Sequence, residues 1–148
     1  MSNLIAAPLL GVLFLACCGV SGMAATCPEN DLSCFDGYAN DGCQDVKMKY
    51  TLDIPVDAEI TGKDSAGNCK IVLTGRSESD FRSVMIDSGA DPAAVDEYLS
   101  EVDYSGNIEG KSASCSVAPD RTYYFFTDGE GADTCSGPLM DGMMAVAR

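Results

Sequence analysis

The sequence predicts a small, disulfide-stapled α+β domain: an antiparallel sheet of two hairpins plus an edge strand, with two short helices on one face. Three observations predict this class. Apolar residues alternate with polar ones in several short segments, which is the period of a half-buried strand. Between residues 77 and 102 the apolar residues change to helical spacing. An even number of cysteines follows an apolar leader, which favours paired cystines.

Residues 1–25 have the layout of a cleaved signal peptide. No charged side chain precedes Glu29, residues 4–22 are nearly all apolar, and small residues at 22–25 offer a cleavage site. Two alternatives stay open. The segment is long enough to be an uncleaved membrane anchor, and Cys17 lies in a stretch that loosely resembles a bacterial lipoprotein cleavage box, which would attach a lipid. The leader therefore predicts a secreted or cell-surface protein.

Residues 26–44 are interpreted as a cysteine-rich acidic lead-in, and residues 45–148 as a single α+β domain. Three cysteines lie in the lead-in and three lie beyond it, so at least one disulfide must join the two parts if all six pair. Without that tie we expect the lead-in to be mobile, because it has few apolar residues. The six predicted disulfide cysteines are Cys27, Cys34, Cys43, Cys69, Cys115 and Cys135.

The edge strand and the first hairpin are expected between residues 46 and 73. Apolar and polar residues alternate from Val46 to Ile54, and Pro55 has no backbone N–H to continue the ladder. Residues 58–61 and 69–73 flank a polar loop that contains glycine, which is typical of a hairpin connection.

Two helices are expected next. Ser77 or Ser79 is a suitable N-cap for the first helix, and Gly89 is a suitable stop. Asp91 caps the second helix and Pro92 takes its first position, where a missing N–H has no cost.

The second hairpin is expected in the C-terminal third. Residues 113–117 alternate between apolar residues and serines, and residues 118–121 resemble a turn. Residues 122–127 have the β-branched and aromatic composition of a buried strand. The apolar tail, residues 139–147, contains the favoured hairpin turn Asp141-Gly142 and is expected to form a short terminal strand.

Charge and composition exclude several functions. The net charge is −14 and falls entirely beyond the leader, so the chain would repel nucleic acids and anionic lipids. The chain contains no histidine, which excludes Ser-His-Asp and Cys-His catalysis and the usual zinc sites. We therefore expect no catalytic residues, although a pair of carboxylates can hydrolyse without histidine.

Two acidic loops are candidate calcium sites of weak affinity, because calcium binds several oxygen ligands presented by a flexible loop. Neither loop has the twelve-residue EF-hand pattern, and solvated acidic turns are the simpler explanation of both. No other cofactor is expected. The candidate ligands are Asp31, Asp36 and Asp41 in the first loop and Asp128, Glu130 and Asp133 in the second.

These observations predict a secreted or cell-surface, non-enzymatic domain that binds another protein or associates with itself in an extracellular structure. One alternative is a secreted effector or inhibitor that acts on another protein, and another is a hydrolase with paired carboxylates. Nucleic-acid partners are not expected, nor any membrane contact beyond the leader. The acidic loops and the aromatic segment 122–127 are the predicted contact surfaces.

Overall fold

The computed structural model describes residues 23–147, so nearly all of the predicted leader, including Cys17, lies outside the described residues. None of the helices in residues 23–147 has the length and apolar character needed to cross a membrane. In chain order the elements are β1 (Ala25–Thr26), α1 (Leu32–Asn40), β2 (Val46–Thr51), β3 (Pro55–Lys63), β4 (Cys69–Gly75), α2 (Glu78–Asp87), α3 (Pro92–Glu101), α4 (Tyr104–Asn107), β5 (Ser112–Val117), α5 (Thr122–Asp128) and α6 (Pro138–Val146).

The strands form a single mixed sheet in the order β1-β2-β3-β4-β5. The short β1 runs parallel to β2, and every other neighbouring pair is antiparallel. The strand predicted from Val46 and the hairpin of β3 and β4 are confirmed. Pro55 begins β3, a position at which a strand tolerates a missing N–H. β5 pairs with β4, so α2, α3 and α4 form an insertion between two adjacent strands.

The two predicted helices are confirmed together with their caps. The Ser77 side chain accepts a hydrogen bond from the backbone N–H of Asp80 at 3.1 Å, and α2 is followed by Gly89 with a φ of 98°. The Asp91 carboxylate accepts from the N–H groups of Ala93 and Ala94, and Pro92 is the first residue of α3. Local capping chemistry therefore fixes both ends of α2 and the start of α3.

The core lies on one face of the sheet. Inward side chains of β2 to β5 and the buried side chains of all six helices belong to one hydrophobic cluster. The predicted class, a small disulfide-stapled α+β fold, is confirmed. The sheet is mixed and not purely antiparallel, because β1 runs parallel to β2, and residues 23–147 contain six α-helices where two were predicted.

Three disulfides join the six cysteines beyond the leader. Cys27 pairs with Cys34, Cys43 with Cys69, and Cys115 with Cys135. The Cys43–Cys69 bridge connects the end of the lead-in to β4, which is the tie between lead-in and domain that the cysteine count requires.

The lead-in also contains a helix that the sequence analysis missed. Asp31 caps α1 by accepting from the backbone N–H of Cys34 at 3.0 Å. Phe35 and Ala39, one turn apart, are fully buried, and the Phe35 ring meets Phe126 edge to face with 5.4 Å between centroids. Two apolar residues on one helical face are enough to anchor a nine-residue helix to the core.

The predicted strand at residues 122–127 is wrong, and the second hairpin that depends on it is wrong as well. This segment is the helix α5, which buries Thr122, Phe125 and Phe126 and exposes Tyr123 and Tyr124. Burial at positions i, i+3 and i+4 is the helical period. The aromatic composition favours a strand, but packing of one helical face against α1 overrides that local preference.

The predicted terminal strand is also wrong, because residues 138–146 form α6. Pro138 is the first residue of the helix, and Leu139 and Val146 are buried. Gly142 lies where a Cβ atom would come within 1.9 Å of the Asn107 carbonyl oxygen. The glycine that resembles part of a hairpin turn therefore allows α6 to approach α4 closely.

The outer sides of β2 and β5 are both paired with other segments of the chain. Residues 25–30, here called the strap, follow the free side of β2: the N–H groups of Cys27 and Asn30 donate to the carbonyls of Lys47 and Lys49 at 2.8 and 2.9 Å. On the other edge, Ser114 and Ser136 exchange two backbone hydrogen bonds beside the Cys115–Cys135 bridge. Association of another strand with β2 or β5 is therefore suppressed in this fold.

Candidate functional site

The side of the sheet opposite the core, here called the groove face, carries the outward side chains of β2 to β5. They are polar or charged apart from Val72, and most are half-buried or exposed. No helix covers this face in residues 23–147, since the buried helical side chains all join the core cluster on the other side. The groove-face residues are Lys47, Lys49, Asp57, Glu59, Thr61, Lys70, Val72, Thr74, Ser112, Ser114 and Ser116.

A groove with a volume of about 480 Å³ crosses this face. The strap lines one side, and the strands β2, β3 and β4 supply the floor. The lining residues are Thr26, Cys27, Glu29, Lys47, Met48, Lys49, Asp57, Ala58, Glu59, Val72 and Thr74. A groove bordered by extended backbone and by charges of both signs suits a polar segment of another molecule better than an apolar small molecule.

The charges on the floor form two adjacent rows. Lys47 and Lys49 point outward from β2, and in the antiparallel register they stand opposite Glu59 and Asp57 of β3. The Lys47 ammonium and the Glu59 carboxylate are 3.6 Å apart. Within the described chain, Lys49 and Asp57 face each other without forming an ion pair. A cationic row therefore runs directly beside an acidic row, and both are accessible to solvent.

An arginine fixes one end of the groove. The Arg76 side chain is only 9% exposed and pairs with Glu29 of the strap at 3.4 Å and with Asp80 of α2 at 3.3 Å. Since Arg76 follows β4 and the strap lies beyond β2, this ion-pair network reaches across the sheet. It ties the wall of the groove to the helical insertion and holds Glu29 in place.

The groove face has an unusual charge for this protein. Its outward residues include three of the five lysines and only Asp57 and Glu59 as acids, which gives a formal charge of +1, whereas the whole chain carries −14. The strongly negative charge of the molecule therefore lies mainly on the other surfaces, and an acidic partner meets less repulsion at the groove face than the net charge of the chain implies.

The first predicted calcium loop does not converge on one point. Asp31 caps α1, Asp36 accepts a hydrogen bond from the Asn40 side chain, and Asp41 accepts one from Gln44. In the second loop, Glu130 pairs with Arg121 at 3.7 Å. Across residues 23–147, three acidic or cysteine side chains are nowhere grouped as a metal ion would require.

One pair of carboxylates comes close together outside the groove. The Ser105 hydroxyl oxygen lies 3.2 Å from both the Glu78 and the Glu109 carboxylates, and Glu109 also accepts from the backbone N–H of Glu78. These contacts hold α4 against the start of α2. Neither carboxylate lines the groove, so the pair has the geometry of a local structural clamp.

A second surface feature is aromatic. Tyr123 and Tyr124 of α5 are each 44% exposed, with 5.9 Å between their ring centroids. The Arg121 guanidinium lies 5.9 Å from the Tyr124 ring and pairs with Glu130. Burial, with the nearby Tyr123 as a second cause, raises the pKa of Tyr50 beside this cluster. We call Arg121, Tyr123 and Tyr124 the tyrosine surface.

No family model, curated protein or solved structure matches this chain.

The aromatic segment 122–127, predicted as a contact surface, exposes only two of its four aromatic residues. Tyr123 and Tyr124 belong to the tyrosine surface, and Phe125 and Phe126 are buried. The groove was not predicted. Its signal was present in Lys47 and Lys49, which alternate with the apolar residues of β2, and in Asp57 and Glu59, which do the same in β3. Only the pairing register places the two rows side by side, and the register follows from the packed core.

Proposed function

We propose that this chain is a secreted or cell-surface, non-enzymatic domain that binds a macromolecular partner through its groove face. The observation that carries the proposal is that no helix in residues 23–147 covers one face of the sheet, while the outer sides of β2 and β5 are paired with other segments. The near-neutral charge of that face, in a chain of net charge −14, supports the same conclusion because it lowers the electrostatic cost of contact.

Three observations support placement outside the cell. The leader has the layout of a signal peptide. Each of the six cysteines beyond the leader is paired, and paired cystines persist in oxidising compartments. The strongly acidic surface favours solubility in an extracellular medium.

The test uses fluorescently labelled protein and the cells that produce it, with their secreted material. Val72→Arg places a bulky cation on the floor of the groove, and Ser83→Arg places the same side chain at an exposed position of α2 as the matched control. We expect saturable binding by the unsubstituted protein and by the control, and binding at least ~10-fold weaker by Val72→Arg. Equal binding by all three proteins, or no saturable binding by the unsubstituted protein, would contradict the proposal.

The second candidate function is that of an effector or inhibitor that acts on another protein through the tyrosine surface. Tyrosine and arginine are the residue types that most often dominate binding energy in protein interfaces. Exposed Tyr123 and Tyr124 beside Arg121 favour this reading. In the same binding assay, a Tyr123→Ala/Tyr124→Ala variant should then lose binding while Val72→Arg keeps it. The reverse result would favour the groove face.

A further inference from the structure

We propose that the groove face binds a second copy of the same chain, related to the first by a two-fold axis parallel to the strands and midway between β2 and β3. The inference rests on the proposed role of the groove face as a contact surface, and it names the partner. The resulting dimer is isologous, because each copy contributes the same surface.

The charge pattern carries the argument. An isologous interface must be complementary to itself, and the proposed axis exchanges β2 with β3. The cationic row of one copy, Lys47 and Lys49, then faces the acidic row of the other, Asp57 and Glu59. Lys49 and Asp57, which form no ion pair within the described chain, gain partners of opposite charge. On a molecule of net charge −14, this arrangement allows two copies to meet without bringing like charges together.

The shape of the face agrees with the same axis. Neighbouring strands are about 4.8 Å apart, so β1 lies roughly 7 Å from the axis on one side and β4 lies equally far on the other. The axis therefore places the strap of one copy, with Thr26 and Glu29, over Val72 and Thr74 of the other. The groove is lined from β1 to β4, which is the set of strands that this symmetry exchanges among themselves.

Salt should affect the dimer in two opposite ways. Most charges of the two copies lie farther apart than the Debye length, which is about 8 Å at physiological ionic strength. Added salt therefore first screens the repulsion between the two net charges. The ion pairs between the rows lie beside the two-fold axis, and their attraction weakens at high salt. The dimer fraction should therefore rise from low salt to a maximum and then fall.

A charge-reversal experiment tests the proposal directly. One variant carries Lys47→Glu and Lys49→Glu, so that both rows are acidic, and the other carries Asp57→Lys and Glu59→Lys, so that both rows are cationic. Sedimentation equilibrium should find each variant monomeric when alone. An equimolar mixture should form a heterodimer with a dissociation constant at least ~10-fold lower than that of either variant alone.

The control reverses a matched ion pair outside the groove face. Arg82 of α2 and Asp96 of α3 pair at 2.7 Å and are exposed, and Arg82→Glu or Asp96→Lys should leave the dimer of the unsubstituted chain unchanged. Circular dichroism verifies that every variant is folded. An unsubstituted chain that stays monomeric at all salt concentrations, or a mixture that forms no heterodimer, overturns the proposal. Because Val72→Arg is scored on binding to cells, a partner other than a second copy would still be detected there.

Discussion

Tyr104 is a buried side chain, and removing its hydroxyl oxygen should stabilise the protein. It is fully buried against Phe81, burial raises the pKa of its phenol, and its hydroxyl has no hydrogen-bond partner among the described residues. An unsatisfied buried hydroxyl costs about 1–3 kcal/mol, so Tyr104→Phe should raise the free energy of unfolding by about 1 kcal/mol or more in urea titrations.

The control for that substitution is Tyr98→Phe. The Tyr98 hydroxyl donates to the carbonyl of Val146 at 3.2 Å, so its loss should lower stability by about 1 kcal/mol. A Tyr104→Phe variant that is less stable than the unsubstituted protein would mean that the hydroxyl has a partner after all.

Asp64 links the β3–β4 turn to β5 and should make stability depend on pH. Its carboxylate accepts hydrogen bonds from the Ser116 hydroxyl and from the backbone N–H groups of Ala66 and Asn68, and the Ser116 bond is the main cause of its lowered pKa. A lowered pKa means that the charged form stabilises the fold. This contribution is complete above the ordinary pKa of about 4 and is lost as pH falls through the folded-state value.

We therefore expect Asp64→Asn to melt below the unsubstituted protein at pH 7, and the gap to narrow as pH falls below about 4. Differential scanning calorimetry at several pH values measures the difference in melting temperature between the two proteins. A gap that does not change with pH would rule out the carboxylate charge as the cause.

At the scale of elements, the contact between α4 and α6 depends on a glycine. Gly142→Ala would place a methyl group 1.9 Å from the Asn107 carbonyl oxygen, and overpacking of this kind costs about 1–3 kcal/mol. Gly37 in α1 has no atom within 4 Å of its Cβ position, so Gly37→Ala should instead stabilise the protein by about 0.5–1 kcal/mol. Denaturant unfolding of both variants compares their free energies of unfolding. Equal effects would mean that α6 does not approach α4 this closely.

The elements differ in how far the sequence determines them. α2 and α3 were predictable because Ser77, Asp91 and Pro92 mark where they begin, and Gly89 marks where α2 ends. α5 was not, because four consecutive aromatic residues hide the helical spacing of the buried Thr122, Phe125 and Phe126, and composition alone favours a strand. In α6, the close approach of Asn107 gives Gly142 a role that no local pattern reveals.

At the scale of the whole molecule, the disulfides should contribute in the order of the loops they close. Their sequence separations are 26 residues for Cys43–Cys69, 20 for Cys115–Cys135 and 7 for Cys27–Cys34. Loop entropy alone predicts losses of about 3.6, 3.3 and 2.5 kcal/mol when each pair is replaced by alanines. Urea unfolding of the three double variants tests the order. If the Cys27–Cys34 variant were the least stable, loop entropy would not be the main contribution.

The candidate site is also a property of the whole molecule, which is why the sequence could predict its parts and not the site. The alternation in β2 and β3 fixes which residues share a face. Which face is bare depends on where the helices pack, and those contacts join residues far apart in the chain. The groove depends on the alternation within the strands, on the packing of the helices and on the strap along β2.

The two covers of the sheet edges have a consequence for the timing of folding. The strap precedes β2 in the chain, so that edge can be closed as soon as β2 has been synthesised. The cover of β5, around Ser136, follows β5 in the chain and is therefore made after it. A nascent chain that ends before this segment has a complete β5 with one unpaired side, and such a side is a template for other chains. The segment around Ser136 therefore sets the point in synthesis after which β5 no longer offers an unpaired side to other chains.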